Sequence, residues 1–89
     1  MAFQWDAGKA RRNLLKHGVD FSDAVGVLED VRAVTVPDPH PREERFLTVG
    51  MDLRLRVLVV SWGWRGDDIR VISARRATAG ERQQYREGD

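Results

Sequence analysis

The stretch Arg56–Tyr85, RVLVVSWGWRGDDIRVISARRATAGERQQY, decides the fold. Two runs rich in β-branched and aromatic residues, RVLVVSWGW and DIRVISA, are joined by RGDD, a connection so short that the runs must be antiparallel neighbours in a hairpin. The second run passes through Arg75 and Arg76 into TAGE, where Thr78 and Glu81 stand at the capping-box spacing that opens a terminal helix containing Tyr85. Strand alternation puts Ile69, Val71 and Ser73 on one face and Arg70, Ile72 and Ala74 on the other. Arg70 then projects from a strand interior, so it must lie at an edge, be paired, or be used.

Upstream, FQW reads as a short strand. Asp6 is an N-cap for a helix through AGKARRNLLKH that stops at Gly18, with Ala7, Ala10 and Leu14 on one face. Lys16 and His17 occupy its last turn, where the helix dipole favours positive charge. A second helix covers about Ser22 to Leu28, with Phe21, Ala24, Val25 and Leu28 as its buried stripe. RAVTV and RFLTVGM supply two more strands, separated by the proline-stiffened PDPHPREE and followed by the DLRL turn. The order is β, α, α, four β, α. It predicts one α+β domain over residues 1–89: an antiparallel four- to five-stranded sheet, two N-terminal helices on one face, and a C-terminal helix.

Eighty-nine residues allow one modest core and exclude a large multi-part enzyme. There is no cysteine, so neither disulfides nor thiolate metal sites enter. MAFQWDAGKARRN lacks the apolar run of a signal peptide and no segment reaches membrane-spanning length, so a soluble cytoplasmic protein is expected. Net charge is only +1, yet 13 of the 15 basic residues are arginine, a bias that either GC-rich coding or selection for phosphate binding produces. If the fold segregates the signs, a nearly neutral protein can still carry an anion-binding face.

Several chemistries find no support. His17 and His40 lie on different elements without a second ligand at metal-binding spacing, and no cofactor motif is present. There is no GxSxG elbow, and SWGWRG is not a Walker loop. What remains is arginine at strand ends and turns: Arg65 and Arg70 near the hairpin turn, Arg75 and Arg76 at its far end, roughly 15 to 20 Å away at the usual strand rise. One phosphate cannot touch both ends, but a strand of nucleic acid can. Trp62, Trp64 and Tyr85 offer stacking surfaces, although the two tryptophans share a stripe with Leu58 and Val60 that better suits core or subunit packing.

These residues carry a resemblance. FQWDAGKARRNLLKHGVDFSDAV, EERFLTVG and WRGDDIRVISARRATAGERQQY, in that order over almost the whole chain, resemble the BrnT family of type II toxins, small RelE-like ribonucleases. The pattern departs at Ala7, where the family has proline, at Arg76, where it has lysine, and at Trp62, where relatives carry smaller or polar residues. The resemblance implies an RNA-cleaving, growth-arresting toxin held in a hetero-oligomer by a BrnA-like antitoxin, whose DNA-binding half lets the complex repress its own operon.

Metal-free cleavage needs a base for the ribose 2′-hydroxyl, an acid for the departing 5′-oxygen, and charge stabilisation between them. Arg65 and Arg75 or Arg76 are the candidates for phosphate and transition-state binding, with Arg75 preferred and Arg76 in a supporting role. His17 is the candidate for proton transfer. Arg70, Lys16 and Tyr85 complete the expected RNA-binding set, and Glu44, a carboxylate at the start of a strand, is either a second proton-transfer candidate or a local ion pair with Arg45. The rival reading is a non-catalytic module that binds RNA or only the antitoxin.

Overall fold

The hairpin turns through Gly66, whose φ of +61° is a left-handed conformation that a side chain would strain. In the computed structural model, which describes residues 1–88, the elements are β1 (Phe3–Gln4), α1 (Ala7–His17), α2 (Phe21–Leu28), β2 (Val34–Asp38), β3 (Arg45–Met51), β4 (Val57–Arg65), β5 (Asp68–Arg76) and α3 (Ala79–Glu87). They build a five-stranded sheet of order β1-β5-β4-β3-β2. The last four strands pair antiparallel, and only the two-residue β1 runs parallel, beside Ile69 and Arg70 of β5.

The caps follow the sequence. Asp6 accepts the Lys9 N–H at 2.8 Å, Gly18 closes α1 at φ 69°, and Thr78 and Glu81 make both bonds of the capping box. On one face of the sheet, Phe21, Ala24 and Val27 of α2 pack on Leu58, Val60, Trp62, Val71 and Ala74. On the other, Tyr85 of α3 packs with Ala77 over Val57 and Val59. β4 is therefore buried continuously from Val57 to Gly63, which is why its sequence is apolar except for Ser61 and shows no alternation. Fully buried side chains such as Phe21 and Leu58 each contribute about 1.5–3 kcal/mol over exposure.

Three expectations change. A bulge sets Ser61 opposite Ser73 but Trp62 opposite Val71, leaving Ile72 as the extra residue. Ala74 thereby joins Ile69 and Val71 in the α2-side core, and the alternation expected along this strand breaks. In α2 the fully buried position is Val27 rather than Val25. In α1 the buried residue is Asn13, while Leu14 is 46% exposed.

Asn13 has a backbone to serve. Beyond Arg70, β5 has no strand on its outer side, and Asn13 takes that place. Its Oδ1 accepts the Ala74 N–H at 3.1 Å, and its Nδ2 donates to the Ala74 and Val19 carbonyls at 2.8 and 3.0 Å. The amide side chain thus imitates one residue of a neighbouring strand and covers the sheet edge.

Gly50 lies where β3 passes beneath α2. A Cβ there would stand 2.9 Å from the Ala33 Cβ and 3.1 Å from both Val27 Cγ1 and the Val27 carbonyl oxygen. Since backbone cannot yield as a side-chain tip can, Gly50→Ala is expected to cost about 1–3 kcal/mol. Urea denaturation checks it; an unchanged midpoint would mean α2 moves freely.

Candidate nucleic-acid interface

Arg65 faces Asp68 and Gly63 faces Arg70 across the hairpin, so the register puts both arginines on one side of the sheet. They share the walls of a 460 Å³ cleft with Gln4, Trp5, Asp6 and Lys9. Arg65 is exposed and lies outside the ion pairs of the described residues. Arg70 is held: its Nη2 donates to Glu43 at 2.9 Å, and the same carboxylate accepts from Arg45. Gly63 lies between Arg45 and Arg70 in the register, and a Cβ there would stand 3.1 Å from the Glu44 carbonyl oxygen, so the missing side chain leaves room for the backbone beside Glu43. The Arg45 hydrogen bond, more than any other contact, holds the Glu43 carboxyl below its ordinary range. The ion pair expected between Glu44 and Arg45 therefore belongs to Glu43.

Lys9 also lines a second cleft, of 310 Å³, together with Arg12, Lys16, His17, Ile72 and Ser73. Lys9, Arg12 and Lys16 follow at i, i+3 and i+7, so one stripe of α1 is basic along its length. The two clefts share Lys9 as a wall residue, one lying at the β1 and hairpin end of β5 and the other beside its strandless edge; together they are the basic trough. From Lys9 to His17 the helix rises about 12 Å. The structure thus brings Arg65 and Arg70 into one cleft and Lys16 and His17 into the other, and adds Lys9, common to both, and Arg12, which the sequence reading passed over. Their helical spacing was the available signal.

Arg75 and Arg76 lie apart from the trough's hairpin end, as expected. Arg75 directs its fork at Glu81, with Nη1 and Nη2 at 2.8 and 3.0 Å from the two carboxylate oxygens. Arg76 is exposed. Arg75 was expected to hold the phosphate and Arg76 to support it; in the fold it is Arg75 that is fastened to the Glu81 carboxylate. Tyr85, expected to stack on RNA, is 7% exposed and donates its hydroxyl to Asp30, so its ring serves the core. Trp62 is likewise interior, stacked on Phe46 at 4.7 Å with its indole N–H on Thr48.

Arg75, then the Thr78 N–H, lower the Glu81 pKa from the usual 4.5 to about 2. A depressed carboxylate pKa means the folded state binds fewer protons than the unfolded chain. The stability it brings is present above pH 4.5 and lost as pH falls toward about 2. Glutamine keeps the capping geometry without the charge. Thermal melts should therefore show the advantage of the wild type over Glu81→Gln shrinking through that window. Both side chains of the pair are partly exposed, which keeps the effect small beside the core.

The family model "Ribonuclease toxin, BrnT, of type II toxin-antitoxin system" matches residues 5–81. The chain belongs to the BrnT toxin family. The crystal structure of the Brucella abortus ribonuclease toxin BrnT resembles it with a TM-score of 0.67 at 28% identity, over 88% of this chain and 97% of that one. No curated protein matches. The BrnT-matching segment contains the residues of both clefts except Gln4, from Trp5 to Ser73, and the Arg75–Glu81 pair; Tyr85 falls outside it. Membership in a family of type II toxins implies a cognate antitoxin. Among the described residues, no helix is long and apolar enough to cross a membrane.

Proposed function

We propose that this BrnT-family toxin cleaves RNA without a metal ion, arrests growth in the cytoplasm, and is neutralised by a cognate antitoxin whose DNA-binding half carries the complex to its operator. The observation behind this reading is the pair of basic clefts that share Lys9. Arg65 and Arg70 stand at one end, Lys16 and His17 at the other. A single RNA strand laid along it meets cations at every step, with Arg65 and Arg70 gripping the phosphate to be attacked.

The 2′-oxygen attacks phosphorus and loses its proton to a base, and the P–O5′ bond breaks as the 5′-oxygen gains one. The product is a 2′,3′-cyclic phosphate and a free 5′-hydroxyl. Arg65 stabilises the charge gathering on the non-bridging oxygens, and Arg70, set by Glu43, supports it. His17, the imidazole expected for proton transfer, lines the other cleft, beyond hydrogen-bond reach of the phosphate that Arg65 and Arg70 hold, so it contacts the strand's backbone there. Arg76, exposed, extends the backbone contact. Arg75 fastens the end of β5 to α3. The RelE-like character of the sheet belongs to the same reading. Lysine and arginine side chains along the trough repel a divalent cation, which is the electrostatic reason for reading the cleavage as metal-independent.

The test is incubation of purified toxin with end-labelled RNA in EDTA. Cleavage leaving cyclic-phosphate ends is the expected result. Intact RNA alongside retained antitoxin binding would make the protein a binding module instead.

A further inference from the structure

Trp5 stands between the end of β1 and the N-cap Asp6, tied on both sides to regular structure. It packs edge-to-face with the fully buried Phe21, ring centroids 6.1 Å apart at 80°. That contact fixes the indole without enclosing it: 38% of the residue remains exposed, on the wall of the cleft shared with Lys9, Arg65 and Arg70. Trp62, which does serve the core, is 8% exposed and satisfies its N–H on Thr48. Trp64 is also exposed, but it leans on Trp62 and does not line the cleft.

We infer that Trp5 is a stacking platform for an unpaired nucleobase, so that the trough's ligand is single-stranded RNA with one base turned onto the indole beside the gripped phosphate. This rests on the trough reading and goes beyond it by naming a base subsite. Cations that hold a phosphodiester place the attached base within reach of a neighbouring wall, and a rigid aromatic there gains a stacked base at little entropic cost. In a duplex each base face is already covered by its neighbours. A duplex therefore cannot use this platform without unstacking. Stacking accepts any base, so the subsite confers a preference for single strands rather than for a sequence.

The experiment measures binding of a short 2′-O-methyl oligoribonucleotide, which lacks the attacking hydroxyl and cannot be cleaved, against an abasic oligonucleotide with the same backbone. Wild-type toxin should bind the base-bearing probe about 10-fold more tightly, the scale of one stacked base. Trp5→Ala should erase the difference, Trp5→Phe should keep part of it, and Trp64→Phe should leave it intact, with melting curves confirming folding. If Trp5→Ala fails to fold, the comparison of the two probes on wild type and Trp5→Phe still decides. Equal binding of both probes by wild type, abolished in Arg65→Ala, would overturn the platform and leave the trough standing. Binding of neither probe would overturn both. Loss of antitoxin affinity in Trp5→Phe with probe binding unchanged would assign the ring to the protein partner and overturn the base subsite.

Discussion

Arg65→Ala is expected to lower RNA cleavage about 100-fold or more, the typical cost of removing one preorganised donor from a developing oxyanion. Its melting curve should stay where it is. Arg65 ends β4 beside the hairpin turn, exposed, with no ion pair among the described residues to lose. Substitutions at such positions cost within about 0.5 kcal/mol. Arg65→Lys separates charge from geometry: if the bidentate fork matters, lysine recovers RNA binding better than it recovers turnover. Arg70 makes a poorer first test, because removing it also frees Glu43 from one of its two partners. Wild-type cleavage and full growth arrest by Arg65→Ala would take this residue out of the site.

The largest expected loss of stability comes from a residue with no place in the chemistry. Asn13→Ala deletes three hydrogen bonds at a position 7% exposed. It leaves the Ala74 N–H and two carbonyls buried without partners. With each stranded group costing about 1–3 kcal/mol, partly relieved by water entering from the adjoining cleft, a net loss of about 3 kcal/mol is expected. Against a total of about 5–15 kcal/mol that is severe for so small a domain. Asn13→Asp should be no better, since it keeps the acceptor for the Ala74 N–H but turns a carboxylate toward two carbonyl oxygens. Urea denaturation of the wild type and both variants measures this. A loss under about 1 kcal/mol for Asn13→Ala would show that solvent replaces the amide at the sheet edge and that Asn13 is not its cover.

Much of the architecture is written locally. Asp6, Gly18, Thr78 and Glu81 set helix ends through bonds to residues three or four positions away, and Gly66 sets the hairpin. These forces act along the chain, so the sequence by itself determined three helices, the antiparallel strands, their order and the nearness of Arg65 to Arg70. Membership in the toxin family was legible for the same reason, through the ordered residues of those elements. Position across the sheet was not. The bulge at Ile72 moved Ala74 to the opposite face because strand pairing and core packing, not alternation within β5, set where side chains point. Asn13 looked like a polar interruption in a helix until β5 proved to lack a strand at that edge. Arg75 was assigned the phosphate and Arg76 the supporting role, and only α3 docking, by bringing Glu81 to the Arg75 fork, gave Arg75 a structural partner. The trough itself joins residues of α1 to residues of β4 and β5 more than 50 positions away. Only the tertiary structure decided those pairings, because a site assembled from side chains distant in sequence leaves no periodicity in any one segment.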